Sequence, residues 1–403
     1  LGDIKCVAAN RLSSASKDFF TRIKDDPSNG VYWKLFGVSL GISVTAAVIL
    51  IYLYIHFKRK TAALTKAEID AFKKGNPHPV NPDEANVIPQ NIPYNEEFEI
   101  NEKKLVYDEA NPDNVLGSGA FGLVLKGVYN DEPVAIKTLK PYSSKSELKS
   151  LLCELKVMQY IGDHPNIAKL IGASTKNLHL GKALVILELY SLGSLDNYLK
   201  KFRGSFVNQM YCNELSPSVE SNYKNIALMS EEVIFTRDLI HWSCQIADGM
   251  AHLSEISVIH GDLATRNILL ADTNTIKIAD FGLSRKQYAN FYAKQSQEPV
   301  PWRWMALESL RYLIFSVESD VWAYGIMLWE IFTLAEVPYS GLNWSEEFKD
   351  SLTRGMRLPK PVYAPKELYD VMYQCWLENP KQRISFEKIK HSLQALHTKF
   401  VDG

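Results

Sequence analysis

Hydrophobic and polar positions divide the chain into stretches of different rhythm. Residues 35–57 (LFGVSLGISVTAAVILIYLYIHF) hold no Asp, Glu, Lys or Arg, with His56 near the end. As a helix rising 1.5 Å per residue this run is about 34 Å long, enough to cross a hydrocarbon core of about 30 Å. Trp33 at one end, and Tyr52 and Tyr54 near the other, stand where interfacial aromatics would. Lys58, Arg59 and Lys60 follow at once, while Asp25 and Asp26 precede it. A basic flank marks the cytoplasmic side, so the pattern predicts a transmembrane helix over 35–57 with residues 1–34 outside. A buried core helix is the other reading of an apolar run, but this length followed by a KRK stop is rare inside soluble domains. The run is too long, and sits too far in, to be a signal peptide.

Before the span, LGDIKCVAANRLSSASKDFF alternates in strand fashion around Cys6, turns, and alternates again. Beyond it, residues 58–92 are rich in Lys, Asn and Pro, and Pro77, Pro79, Pro82, Pro89 and Pro93 exclude a long helix there. Strand-like alternation runs from about Leu105 to Lys140. Helical periodicity dominates from about Ser144, with one strand-like stretch at Ala183–Leu189. Residues 202–234 break the helical pattern with mixed polar sequence. A small β-rich lobe followed by a large helical lobe is the predicted α+β arrangement.

Composition narrows the class. With 403 residues, 46% hydrophobic and 23% charged, the chain has room for two or three domains and ordinary globular character. That excludes a wholly disordered, collagen-like or coiled-coil chain. Lys plus Arg number 45 against 46 acids, a net charge of −1, which gives no electrostatic case for nucleic acid as a main partner. Five cysteines are too few for a disulfide scaffold. Cys6 is on the outer side; Cys153, Cys212, Cys244 and Cys375 are on the reducing side, as plain thiols. The first residue is Leu and no signal peptide precedes the opening segment, so the sequence reads as part of, or a product of, something longer.

The candidate chemistry is phosphate handling. Leu116–Val124 reads LGSGAFGLV, placing Gly117, Gly119 and Gly122 as G-x-G-x-x-G-x-V. Glycine lets backbone N–H groups approach phosphate oxygens without a side-chain clash. This motif alone also suits dinucleotide folds and plain turns. Here strand-like sequence follows it and not a helix, leading to Val134-Ala135-Ile136-Lys137, a context for a glycine-rich hairpin over a nucleotide. Lys137 would pair with phosphates and with a helix carboxylate, for which Glu154 in LLCELKVM is best placed. His260-Gly261-Asp262-Leu263-Ala264-Thr265-Arg266-Asn267 and then Asp280-Phe281-Gly282 complete the set. In this order these motifs are the protein-kinase signature. Asp262 would accept the substrate hydroxyl proton, and Asn267 and Asp280 would hold Mg2+ ions bridging the phosphates of ATP. His260 reads as an organiser of its loop.

From Pro93 to about Lys399 the chain resembles a tyrosine kinase domain, which implies a bilobal fold over 105–400 with an N-lobe at 105–188 and a C-lobe at 193–400. DLATRN and Pro301 in VPWRWMALESL resemble tyrosine kinases more than serine/threonine kinases. The resemblance implies that Arg266 helps place the phenol and that Pro301 packs under its ring. It implies that Leu116, Val124, Ala135 and Leu269 sandwich adenine. Leu187 would be the gatekeeper, with Glu188 and Tyr190 at the hinge. Asp320 in SDVWAYG would anchor the catalytic loop, and Glu308 and Arg383 would form a buried ion pair.

Span and kinase together resemble a receptor tyrosine kinase. IPYNEEFEINEKKL is similar to the juxtamembrane P-Y-D-x-x-W-E-F-P pattern of the platelet-derived and vascular endothelial growth factor receptors, with Phe98 for its tryptophan and Asn101 for its proline. An invertebrate receptor of that branch is the expectation, and a fibroblast-growth-factor-type receptor the rival, given the short insert at 202–234. The opening segment resembles the last strands of an immunoglobulin-like domain, with Ile4 at the usual corner tyrosine; a generic stalk hairpin is the alternative. The implied layout is 1–25 Ig-like, 26–34 stalk, 35–57 span and 58–104 juxtamembrane. It implies a single-pass type I plasma-membrane protein, a lipid bilayer around the span, a cystine-knot growth factor ligand and homodimerisation. SH2-domain adaptors would dock on phosphotyrosines. Tyr292 lies where the activation-loop tyrosine does, with Tyr288 a second candidate. Tyr94 matches a juxtamembrane tyrosine whose phosphorylation releases inhibition. Tyr211 and Tyr223 both head Y-x-N adaptor signatures.

Three positions within the kinase motifs also depart from the pattern. Gly261 stands where the family has the arginine that reads the activation-loop phosphate. That suggests an active enzyme less dependent on Tyr292, with Arg285 as a substitute partner; the alternative is a catalytically weak scaffold that binds nucleotide and recruits adaptors. Leu307 and Ile384 replace prolines, as packing changes.

Overall fold

The computed structural model describes residues 5–9, 14–18, 27–75, 91–119, 122–210, 233–281 and 301–402. Two units separate, at Leu1–Lys58 and Arg59–Gly403. In the first, strands β1 (Lys5–Ala9) and β2 (Ser14–Asp18) pair antiparallel with Cys6 opposite Lys17, the hairpin that the alternation predicts.

The apolar run becomes helix α1 (Pro27–Ala62), 36 residues long. It extends past the predicted span on both sides, so residues 27–34, expected as a stalk, are helical. Proline at a first helical position loses no bond and fixes a helical φ, which suits a start at Pro27. Phe36–Tyr54 has a hydropathy of 2.2 and buries nothing within the structure. Its hydroxyls turn inward: Ser43 Oγ donates to the Ser39 carbonyl and Thr45 Oγ1 to that of Gly41, both at 2.9 Å. Internal satisfaction of polar groups is what a hydrocarbon surrounding demands.

The second unit begins with a short helix, α2 (Lys66–Lys74), inside residues 58–92, where the prolines exclude a long one. Thr65 and Glu68 make a reciprocal capping box at its start, and Gly75 in the left-handed region ends it, ahead of the prolines. Strands β3 (Leu105–Tyr107), β4 (Val115–Gly119), β5 (Gly122–Tyr129), β6 (Glu132–Thr138), β7 (Leu170–Ser174) and β8 (Leu184–Glu188) form one antiparallel sheet ordered β3-β5-β6-β8-β7, with β4 also on β5. The predicted alternation yields the strands from β3 to β6 and β8; β7 went unrecognised, because LIGAS is short and follows a helix without a strong period. Helix α3 (Lys145–Ile161) is capped by Ser144 and Glu147 and buries Leu148, Leu151, Leu152 and Leu155 beside the sheet. A smaller, separate cluster of Ile100, Leu105, Leu125, Val134, Ile136 and Ile186 packs within this lobe.

The helical lobe contains α4 (Leu195–Phe202), α5 (Thr236–Glu255), α6 (Leu307–Tyr312), α7 (Val317–Phe332), α8 (Glu346–Thr353), α9 (Lys366–Cys375) and α10 (Phe386–Asp402). Trp242, Trp322, Trp376 and Tyr324 are almost fully buried among them. At the two ends of the insert, β9 (Phe206–Val207) and β10 (Ile234–Phe235) pair in parallel. Its tyrosines, Tyr211 and Tyr223, lie outside the described residues, as do Tyr288, Tyr292 and Arg285. A hairpin of β11 (Ile268–Leu270) and β12 (Ile276–Ile278) sits under the sheet. Leu307 is buried and Ile384 packs against the core, as expected for packing replacements.

The predicted pair of Glu308 and Arg383 forms. Arg383 Nη1 and Nη2 donate to the two Glu308 carboxylate oxygens at 2.7 and 2.9 Å, and its other donors reach the carbonyls of Glu318 and Leu377. The guanidinium is fully buried. Removing one partner of such a pair strands the other charge, so Arg383→Met should cost about 3–5 kcal/mol of stability. A thermal melt should show a fall of several degrees; an unchanged melting temperature would contradict this account.

Candidate active site

The glycine loop is a hairpin, as its strand context predicts. β4 and β5 pair with Gly119 opposite Gly122 and Gly117 opposite Val124. Gly122 has φ +145° and a Cβ there would lie 2.4 Å from the Thr138 carbonyl oxygen, so no other residue fits. A Cβ on Gly117 or Gly119 would meet nothing within 4 Å. Those two glycines therefore do not serve packing; they leave an open backbone edge on the cleft side.

Lys137 is the centre of the site. It sits on β6, 7% exposed. Its ammonium donates to Glu154 Oε1 of α3 at 2.6 Å and to Asp280 Oδ1 at 2.8 Å. Burial opposes its charge, yet the carboxylates of Asp280 and Glu154 outweigh burial and hold the lysine pKa above its ordinary value. Burial raises the carboxyl of Glu154, while Asp280, although buried, is held below the usual range by Lys137. Asp280 has φ +66°. A non-glycine residue there is strained, and strain of this kind persists where surrounding contacts over-determine it.

The loop that carries Asp262 hangs from α7. Asp320 accepts the backbone N–H groups of both His260 and Gly261, at 2.8 and 2.9 Å. His260, fully buried, bridges Asp262 N and the Ala279 carbonyl through its two ring nitrogens, and its pKa is pushed down by burial. It organises the loop, as the sequence suggests. Asp262 accepts from Arg266 Nη2 on one oxygen and from Asn267 Nδ2 on the other, the latter at 2.9 Å. Burial pushes its carboxyl up to about 6, partly countered by Arg266.

Glu330 was missed from sequence. It accepts from Thr265 N and Oγ1 at 3.2 and 3.1 Å and from Trp304 Nε1 at 2.8 Å, tying the catalytic loop to the segment after Pro301. Burial pushes its carboxyl up to about 7. The signal was available: after Asp320 it is the one charge in the apolar stretch of α7. The Arg266 guanidinium lies over the Trp304 ring, 4.4 Å from its centroid, so the residue expected to place a phenol is itself held by an aromatic.

The predicted adenine positions converge. Ala135 and Leu187 face each other across the β6–β8 ladder, followed by Val134 and Glu188. Val124 lies on β5 opposite Lys137, and Leu116 on β4 is 48% exposed. Leu269 lies on β11 below, bridged to Ser194. Tyr190 is buried; its hydroxyl accepts from Lys169 N and donates to Glu188.

Oxygen ligands for a divalent cation are at hand. Asn267 commits Nδ2 to Asp262, which leaves Oδ1 as an acceptor, and Asp280 engages Lys137 through Oδ1 and retains Oδ2. Among the described residues no cluster of three His, Cys, Asp or Glu could hold a metal. Mg2+ suits a two-ligand site, because it takes few protein oxygens and completes its shell with phosphate and water.

Tyr94 stands apart from this site. It is 6% exposed, its ring lies 5.0 Å from that of Phe72, and its hydroxyl donates to Glu99 at 2.9 Å.

Comparison with known proteins matches residues 111–393 to the family described as protein tyrosine and serine/threonine kinase. The chain is 37% identical over 329 residues to vascular endothelial growth factor receptor 1 of Mus musculus, covering 70% of this chain and 24% of that one. It is 31% identical over 447 residues to macrophage colony-stimulating factor 1 receptor 1 of Takifugu rubripes, covering 98% and 44%. Mast/stem cell growth factor receptor-related protein Kit of Xenopus laevis is 31% identical over 444 residues, covering 96% and 45%. The chain thus spans less than half the length of these relatives.

Proposed function

Since the chain belongs to the protein tyrosine and serine/threonine kinase family, we propose that it is the membrane-spanning and kinase part of a receptor tyrosine kinase that moves the γ-phosphoryl of ATP to protein tyrosines. The observation that carries this reading is the contact of Lys137 with both Glu154 and Asp280, set beside an Asp262 held by Arg266 and Asn267. These groups have a use together only if a phosphate chain enters between the glycine hairpin and the catalytic loop. A catalytically weak scaffold that binds nucleotide and recruits adaptors would use Lys137, Glu154 and Asp280 but would not need Asp262 held by Arg266 and Asn267.

The proposed reaction is an in-line displacement. The substrate phenol oxygen attacks the γ-phosphorus, its proton passes to Asp262 Oδ, the bond from the γ-phosphorus to the β–γ bridging oxygen breaks, and ADP leaves with that electron pair. Lys137 donates to phosphate oxygens and Arg266 orients the phenol against Pro301. Mg2+ held by Asn267 and Asp280 would neutralise phosphate charge. Little covalent chemistry falls to the protein, and positioning and charge supply the rate. ATP seats its adenine between Leu116, Val124 and Ala135 above and Leu269 below, against Leu187, Glu188 and Tyr190.

Two of these relatives carry growth factor receptor in their names and the third is a colony-stimulating factor receptor. By analogy the span Phe36–Tyr54 places the kinase at the cytoplasmic face of the plasma membrane, and a growth factor ligand of cystine-knot type outside draws two copies together. Pairing raises the effective concentration of each kinase at the other's tyrosines. Tyr292, Tyr288, Tyr211 and Tyr223 are the proposed acceptors, the last two as SH2 docking sites. Tyr94 becomes an acceptor only once it leaves Phe72 and Glu99.

Radiolabelled Mg–ATP and a tyrosine peptide should give transfer with the wild-type chain and a loss of about 10²–10⁴-fold with Asp262→Asn; equal signal from both would refute the reading. The acid limb carries a sign. Asp262 must be ionised to take a proton, and its carboxyl is raised by burial, so kcat/KM should fall as pH drops through about 6. Arg266→Ala removes a cation that favours ionisation and should move that limb to higher pH.

Gly261 leaves the proton acceptor and metal ligands in place while removing one phosphate partner. Tyr292→Phe should therefore cost far less than about a thousandfold in turnover, the scale on which an arginine acts in phosphoryl transfer. A loss that large would show that the activation-loop phosphate still governs this enzyme.

A further inference from the structure

The β-sheet carries a second cavity, which the proposed transfer does not use. One rung crosses four strands: Leu123 on β5 pairs with Thr138 on β6, Thr138 with Leu184 on β8, and Leu184 with Ser174 on β7. All four residues line a cavity of about 420 Å³, within the range of small-molecule sites. Successive residues of a strand point to opposite faces. Thr138 therefore faces away from the side on which Lys137 meets Glu154 and Asp280, and the cavity lies across the sheet from the candidate active site. Its apolar wall continues the small cluster around Leu125, Ile136 and Ile186, against which Leu123, Leu184 and Tyr107 pack.

Two loops close this cavity, 139–143 after β6 and 177–183 before β8, and each brings a lysine. Lys140 stands two residues past the Thr138–Leu184 rung on one strand, and Lys182 two residues before it on the other. Both thus come to the same end and the same face of the ladder. Both line the cavity and are half-buried. Among the described residues neither ammonium has a carboxylate or another acceptor. The two carboxylates in the lining are engaged: Glu102 accepts from Ser174 Oγ and Asn177 Nδ2, and Glu109 from the Tyr107 hydroxyl. Like charges at facing positions of a ladder repel. An anion between them removes that repulsion and takes a charge-assisted hydrogen bond from each. The rest of the wall offers ring faces, from Tyr107 and from Tyr142 beside Pro141, and aromatic faces suit a flat apolar body.

We propose that this cavity is a binding site for an aromatic carboxylate, with Lys140 and Lys182 holding the acid group and Tyr107, Leu123 and Leu184 the ring. The site is separate from the phosphoryl-transfer groups, so its test does not depend on catalysis.

Naphthoate is the probe, with its neutral carboxamide and the cationic naphthylmethylamine as counterparts. Each is dialysed to equilibrium against the 403-residue chain in lipid nanodiscs, with empty nanodiscs subtracting uptake by lipid. Naphthoate should bind saturably, and the carboxamide about tenfold more weakly. Lys140→Ala/Lys182→Ala should weaken naphthoate about tenfold or more and leave the carboxamide unchanged. Lys140→Glu/Lys182→Glu should reverse the preference and take the amine over the acid, a gain that only a folded variant can show. Amide exchange over 138–143 and 177–184 should slow when naphthoate is added to the wild type. No saturable binding to the wild type, equal naphthoate binding by the wild type and the double alanine variant, or unaltered exchange in those two stretches overturns the site. Tighter binding of decanoate than of naphthoate overturns its assignment to ring acids.

Discussion

A buried ammonium between two carboxylates sets the rest of the structure. Lys137 comes from the sheet, Glu154 from α3 and Asp280 from the strand end below. Each charge is costly to bury alone, and together they satisfy one another. Three elements distant in sequence must therefore arrive at one point, and displacing any one strands the other two. This is a demanding arrangement for stability and a useful one for chemistry, because the ammonium stands ready to exchange a carboxylate for a phosphate oxygen.

The lower half of the site is held differently. α7 is almost wholly apolar, yet it buries Asp320 and Glu330 at 2% and 5% exposure. Both carboxylates spend their acceptors on backbone and side-chain donors of the catalytic loop and the segment after Pro301. A loop hung on a core helix by backbone hydrogen bonds keeps its shape whatever its surface side chains do. The upper half, by contrast, depends on where α3 rests, because Glu154 reaches Lys137 from that helix.

Much of this was legible in sequence, because the chemistry restricts residue type at each point. Gly122 has no room for a Cβ, Lys137 and Glu154 need opposite charge, and Asp320 and Arg383 are charges in apolar surroundings. The alternation from Leu105 to Lys140 gave most of the sheet, and the helical period from about Ser144 gave α3. What escaped was whatever depends on tertiary contact. β7 is too short to show a period, and α2 hides in a stretch whose prolines suggested a linker, although Thr65 and Glu68 spell a capping box. The helix α1 outruns its apolar core because the flanking residues can remain helical, so hydropathy alone could not set its ends. Tyr94 reads by motif as a juxtamembrane phosphorylation site, yet it is buried against Phe72 and Glu99, and no local pattern encodes that.

Gly261 sits where the catalytic loop meets its anchor on α7. Its φ is +79°, imposed where Asp320 takes two successive N–H groups. A residue with a side chain would carry about 1–3 kcal/mol of strain in that region; glycine carries almost none. Replacing the family's arginine thus removes a phosphate partner and relaxes the loop in the same step. The acceptor Asp262, one residue on, is then placed by Asp320, His260, Arg266 and Asn267, all inside the described lobe. Its placement rests on contacts within the catalytic loop and with α7, two elements that the apolar core of the helical lobe holds together.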